Sequence, residues 1–366
     1  MLQHPPRLLR IQQLRAVAAI LVLHAHTMDA QFAIPRKTLQ LRFYFLENFG
    51  AIGVDLFFII SGFIITLVSA AYKEKYGALH FFTKRMLRVL PLYWLLSLAF
   101  WLIGFAGIRW LKVYGSIKAS FFIVPFWQRG ELPIPRISQG WSLYFELLFY
   151  SMVAFCMLLW RRHYLQLLLF ALGILMLLDI YFFKTHPLWL QLAGNRVMLE
   201  FLLGIVVALI YRSKVLGSPN IRSGLLLAGC IAWALLLVNG FGDVSESIGT
   251  VSGRLSFCRS LIWGLPSSLF VLWAASADFR KPSIRMQWLV HCGDASFSIY
   301  LTHVFFLQMI YHLWISWKTC PLPGDIQVII SICFALLAGI VVYRAVEKPL
   351  IAATNKFVAS RFEKSK

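Results

Sequence analysis

Charge is scarce in this chain of 366 residues: 14% are Asp, Glu, Lys or Arg, and only 15 are acidic. A soluble domain carries about 25% charged residues, and a water-facing fold of this length needs more polar surface than that. The composition therefore excludes a soluble enzyme, a disordered tail and a disulfide scaffold. Cysteine is sparse too. Cys156, Cys230, Cys258, Cys292, Cys320 and Cys333 stand singly and form no CxxC pair, so they read as packing residues and no metal is expected. No internal repeat is visible, and no stretch is long enough for a second, soluble domain. What the chain has in quantity is apolar: 60% hydrophobic residues and a mean hydropathy of +0.73. It belongs in a bilayer.

The formal net charge is +20, which in a soluble domain would suggest nucleic acid. Here the basic residues fall between long apolar runs, with no basic stripe and no aromatic platform among them, so no nucleic-acid partner is expected. The positive-inside bias accounts for them. A helical span needs about 20 mainly apolar residues. Ten stretches qualify: 13–30, 50–71, 88–107, 141–160, 164–183, 196–211, 223–240, 256–277, 295–317 and 326–346. The expected fold is all-α, a polytopic bundle of about ten transmembrane helices, with a membrane domain over 1–350 and a basic cytoplasmic tail over 351–366. The first stretch follows Arg7 and Arg10 as a signal peptide would. It contains Arg15, His24 and His26 without a clear cleavage site, so it reads as retained. The connector 108–140, with Trp110 and Trp127, is expected along the membrane surface. Compact basic clusters set the orientation: Lys73, Lys75, Lys84, Arg85 and Arg88; Arg161 and Arg162; Arg212, Lys214 and Arg222; Arg280, Lys281 and Arg285; and the tail from Lys348. Both termini are then cytoplasmic.

A charged side chain at a helix centre costs about 2.5–3.5 kcal/mol on insertion scales, so such residues usually face a polar interior. Arg15 and His26 are three helical turns apart on one face, separated by about 16 Å of rise. His24 falls on the opposite face. Asp55 and Glu146 each lie about one and a half turns into their spans and are expected at a level similar to His26. Arg196, Glu200 and Arg259 fall at comparable depth. A buried ion-pair network and a general-base pocket both fit this pattern, since a carboxylate can orient an imidazole and stabilise its cation. At the other face Arg85 and Arg88 are neighbours at i and i+3, a two-pronged phosphate site or a lipid anchor. Pro91 suits the first turn of that span.

Five segments carry a resemblance: LRAVAAILVLHAH at 14–26, GAIGVDLFFIISGFII at 50–65, FFTKRMLRVLPLYW at 81–94, WSLYFELLFY at 141–150 and SFSIYLTHVFF at 296–306. Weaker echoes lie in RVMLEFLLGI at 196–205 and VEKPL at 346–350. In this order they resemble the acyltransferase 3 family, integral membrane O-acyltransferases of bacterial glycans, and most of all the exopolysaccharide (succinoglycan-type) acetyltransferases. The resemblance implies acetyl-CoA as co-substrate, with no permanently bound cofactor, and a sugar hydroxyl as acceptor. The family's Arg-x10-His pair falls on Arg15 and His26, and its Arg-x-x-Arg element on Arg85 and Arg88. Asp55, Glu146 and His303 match the residues of their segments. Some members carry a fused esterase-like domain; none is expected here.

The expected mechanism follows. Arg85 and Arg88 hold CoA phosphates, and His26 serves as general base or acyl carrier. Arg15 guides the donor or stabilises developing charge, and Asp55 and Glu146 orient His26 or line the acceptor side. Expected partners are the bilayer, acyl-CoA, a glycan or lipid-linked oligosaccharide, and polysaccharide synthesis machinery, in the bacterial inner membrane. A transporter or flippase of lipid-linked glycans is the alternative, and would favour repeats and matched interrupted helices. A non-catalytic subunit of a synthesis complex is a third reading.

Overall fold

The computed structural model describes residues 8–32, 48–105, 117–121, 135–181, 188–213, 215–239, 255–276, 284–317 and 320–362. Trp110 and Trp127 of the connector, and the basic residues Lys214, Arg280 and Lys281, lie outside them. Helices account for nearly all the described residues, and no strand occurs among these. They are α1 (Leu9–Phe32), α2 (Ile52–Ser69), α3 (Gly77–Phe105), the short α4 (Ile117–Phe121), α5 (Trp141–Leu159) and α6 (Tyr164–Tyr181). After the short α7 (Leu188–Ala193) come α8 (Met198–Ser213), α9 (Pro219–Asn239) and α10 (Ser256–Ser276). The last three are α11 (Ile284–Asp294), α12 (Ser296–Ser316) and α13 (Gly324–Phe362).

Nine helical segments among the described residues are long and apolar enough to cross a membrane. The expected first span is helical as well, but α1 is not one of the nine. Arg10, Arg15, His24, His26 and Asp29 dilute its apolarity. Its neighbours make this tolerable: α1 packs against α2, α10, α11, α12 and α13, so most of its length faces protein. The outer helices have the opposite character. Phe105 of α3, Leu158 of α5, Leu177 of α6 and Val238 of α9 are exposed apolar side chains, suited to lipid. The chain is a multi-pass all-α membrane protein.

Two features of the helices depart from expectation. α3 begins at Gly77 rather than near residue 88, so Pro91 is interior and Arg85 and Arg88 lie well inside the helix. An interior proline removes one backbone hydrogen bond, a loss that membrane helices accommodate through neighbouring groups. Secondly, α10 and α13 each contain a π turn, Ser260–Gly264 and Tyr343–Glu347, through which the helix continues. The extra residue rotates the following side chains about the axis, and such turns often accompany functional sites.

Small residues let the central helices touch. Gly62 of α2 and Gly204 of α8 meet backbone to backbone: a Cβ on either would intrude on the carbonyl oxygen of Phe201 or Ile59. With no hydrophobic drive between helices in lipid, such close packing supplies the association energy. Gly204→Val should therefore destabilise the protein by ~1–3 kcal/mol through overpacking. Gly224→Ala on α9 meets open space and should not lower the melting temperature. Thermal unfolding of the detergent-solubilised variants checks both.

Candidate active site

A cavity of about 160 Å³ lies between α1, α2, α3, α5 and α12. Its wall on α2 runs from Ile64 to Val54, ten residues and therefore about 15 Å of helix rise. It is a narrow channel, smaller than the ~300–1,000 Å³ of ordinary ligand pockets. Arg15, Arg85 and Arg88 all line it, with Glu146 on α5. Arg85 is packed over the rings of Phe81 and Tyr150, at 5.8 and 5.9 Å from their centroids. Arg88 is exposed. Arg15 donates to Gln12 Oε1 at 3.3 Å.

Three guanidiniums in one membrane-embedded channel repel one another, and two carboxylates offset them. Glu146 accepts from the Ser61 hydroxyl at 3.0 Å and from the Tyr150 hydroxyl. Glu347, at the end of the second π turn, is buried and accepts from the Ser298 hydroxyl. It lies within electrostatic range of Arg15 and Arg88. On α12 Tyr300 lines the channel, its hydroxyl donating to the Gln139 carbonyl at 3.0 Å and standing 2.8 Å from the Ser142 hydroxyl.

One helical turn beyond Tyr300 stands His303, and beside it His26, their ring centroids 5.2 Å apart. His26 does not line the channel. Its Nδ1 is 3.3 Å from Asp29 Oδ2, and its side chain is 40% exposed. The Asp29 carboxylate can only accept, so it favours the tautomer with hydrogen on Nδ1 and leaves Nε2 as the bare nitrogen. That is the form a general base or nucleophile requires.

The expected convergence of Asp55, Glu146 and His26 at one level is not what the helices produce. Asp55 is fully buried and makes a two-pronged ion pair with Arg259, Nε to Oδ1 at 3.0 Å and a terminal nitrogen to Oδ2 at 2.8 Å. Arg259 also donates to the Ala51 carbonyl and packs over the Trp263 ring. With both oxygens engaged, Asp55 does not orient His26. Glu200 lies next to this pair and accepts from Ser260 at 3.2 Å, while Arg196 pairs with Asp179 at 3.2 Å. Arg196, Glu200 and Arg259 form a structural network behind α2, and none of them lines the channel. Glu146 and His26 stand in separate clusters, the first in the channel wall and the second outside it.

Ser61, Tyr150, Tyr300, Glu347 and Asp29 were not singled out from the sequence. Tyr150 is four residues after Glu146, and Asp29 three after His26, so helical spacing could have found both. Glu347 carried a signal as well, as one of few acidic residues beside an apolar run. Nothing distinguishes Tyr300 or Ser61 before the helices are assembled.

Fold and site together define a polytopic membrane protein with a cation-lined channel and, one helical turn past Tyr300, an imidazole pair of which His303 is buried and His26 partly exposed. The chain belongs to the family described as an acyltransferase domain, whose model matches residues 8–344. It is 27% identical over 312 residues to "Exopolysaccharide production protein ExoZ" of Rhizobium meliloti, covering 82% of this chain and 90% of that protein. It is 26% identical over 383 residues to "Acyltransferase MdmB" of Streptomyces mycarofaciens, covering 94% and 92%. To "O-acetyltransferase OatA" of Staphylococcus aureus it is 27% identical over 332 residues, 82% of this chain and 52% of that one. No solved structure matches.

Proposed function

We infer that this membrane acyltransferase moves an acyl group, acetyl in the first instance, from acyl-CoA to a hydroxyl of a bacterial surface or exopolysaccharide sugar. The observation that carries this reading is the channel, with Arg15, Arg85 and Arg88 in its wall and an imidazole pair one helical turn past Tyr300. The names of the exopolysaccharide and O-acetyltransferase relatives support the acceptor class. Arg85 and Arg88 hold phosphate oxygens of the donor from the cytoplasmic side, as charge-assisted bonds suit. The channel, at about 160 Å³, is too small for a whole nucleotide, and a pantetheine arm enters it instead and carries the thioester toward Tyr300.

His26 receives the acceptor hydroxyl from the opposite end, where its ring is exposed. As general base it takes the hydroxyl proton while the oxygen bonds to the acyl carbon. The carbon–sulfur bond then breaks, and the proton returns to the departing thiolate. Asp29 holds the imidazole tautomer and stabilises its cation. Arg15, three turns below, guides the thioester with Glu146 and Glu347 balancing its charge. Asp55 acts on the helix packing through Arg259.

Acetyl-CoA binding to purified protein tests the donor site. Arg85→Ala and Arg88→Ala should each weaken it by at least about tenfold, since a hydrogen bond to a charged group contributes ~1.5–3 kcal/mol. Unchanged affinity in both would contradict the assignment. CoA release that depends on added exopolysaccharide separates transfer from transport.

A further inference from the structure

His303 is a chemically capable side chain that neither the channel wall nor the ion pairs employ. Its imidazole is buried, with Nδ1 2.7 Å from the Tyr300 carbonyl oxygen and 3.2 Å from that of Ile299. Carbonyl oxygens only accept, so Nδ1 carries the hydrogen and donates. Nε2 is consequently a bare lone pair, and it is buried with no hydrogen-bond partner among the described residues. Such atoms are uncommon in folded proteins, because leaving one unpaired is costly. The backbone carbonyls fix the ring, so His303 cannot turn Nε2 toward another partner without losing the bonds at Nδ1.

What stands beside it is His26. The ring centroids are 5.2 Å apart, with the planes inclined by 31°. Two imidazoles joined nitrogen to nitrogen at about 3 Å have centroids about 5 Å apart; no hydrogen bond joins the two rings in the resting structure, and a small turn of the His26 ring would make one. His26 is in electrostatic range of His303, and the Tyr300 ring stands 6.0 Å from it with its hydroxyl engaged by Gln139. Glu347, on the adjoining helix α13, is engaged by Ser298, and Asp29 stands at His26 itself.

We propose that His303 is a positioning residue whose Nε2 accepts a hydrogen bond from protonated His26 and so stabilises it during transfer. This rests on the reading of His26 as the group that meets the acceptor hydroxyl. The atoms balance as follows. The hydroxyl O–H bond breaks and its proton goes to His26. The oxygen bonds to the acyl carbon while the carbon–sulfur bond breaks, leaving a thiolate. The proton, held between the two imidazoles, then passes to the thiolate as CoA departs. His303 begins and ends neutral, and its orphaned lone pair is satisfied only while the proton is held.

The test compares wild type, His303→Phe, His303→Gln and His26→Ala in steady-state transfer from acetyl-CoA to isolated exopolysaccharide. Phenylalanine keeps the ring and removes the acceptor; glutamine offers an oxygen that can accept. His303→Phe should lower kcat by about 10–100-fold with the KM for acetyl-CoA near wild type, and His303→Gln should recover most of the loss. A wild-type kcat in His303→Phe overturns the proposal. Should the phenylalanine variant fail to fold, nitrogen-15 histidine NMR of the unmodified protein decides. The proposal requires His303 hydrogen on Nδ1 and none on Nε2 at neutral pH, and the reverse tautomer overturns it. Full activity in His26→Ala would instead sink the reading of His26, a failure separable from that of His303.

Discussion

His26→Ala lowers acyl transfer to polysaccharide by about 10²–10⁴-fold, the contribution of a positioned general base, at matched protein level. The comparison is His24→Ala on the same helix, which stays near wild type. Both residues are half-buried histidines of α1 within one turn of each other. They differ in what surrounds the ring: Asp29 and His303 flank His26. A general loss of helix packing would affect both variants alike. A loss confined to His26 identifies the imidazole that performs the chemistry. Acetylation of isolated polysaccharide, quantified against the amount of membrane-inserted protein, gives the answer.

The second large effect falls on stability. Asp55→Asn or Arg259→Met should destabilise the protein by ~3–5 kcal/mol, because each strands the other member of a fully buried ion pair. Arg259→Met is the more damaging, since Glu200 beside the pair also loses its cation. Asp55→Leu combined with Arg259→Met should recover much of the loss, a non-additive result expected of groups in one network. Thermal unfolding in detergent measures the stability, and transfer per folded molecule measures the chemistry. Were Asp55 an orienting group for His26, its replacement would lower transfer per folded molecule while leaving the melting temperature in place.

The helices were legible because a bilayer imposes a simple requirement: each span must be apolar and about 20 residues long. The positions of Arg15, Arg85, Arg88 and Glu146 around one channel were partly legible for a related reason. A charge inside an apolar run has to face something polar, and helical period gives the face. Depth in the membrane, however, does not say which residue meets which. Asp55 and His26 were placed at one level, yet α10 brings Arg259 to Asp55 and α12 brings His303 to His26. Those partners depend on the order of helices around α1 and on close glycine contacts such as Gly62 with Gly204. Sequence spacing along any single helix does not contain that order. The π turn that delivers Glu347 beside Arg15 and Arg88 is a further case. It shifts the register of α13 by one residue, which a regular 3.6-residue period would misplace.

The central claim is that a thioester enters between the arginines and reaches the imidazole pair. A coenzyme A thioester with a photoreactive diazirine in its acyl chain tests this directly. Irradiation of the purified protein and mapping of the labelled peptides should place the label on α12 between Ser296 and His303, or on α1 between Arg15 and His26. Excess acetyl-CoA should abolish it. Labelling confined to the lipid-facing helices α6 and α9, or labelling that acetyl-CoA does not compete away, would contradict the account.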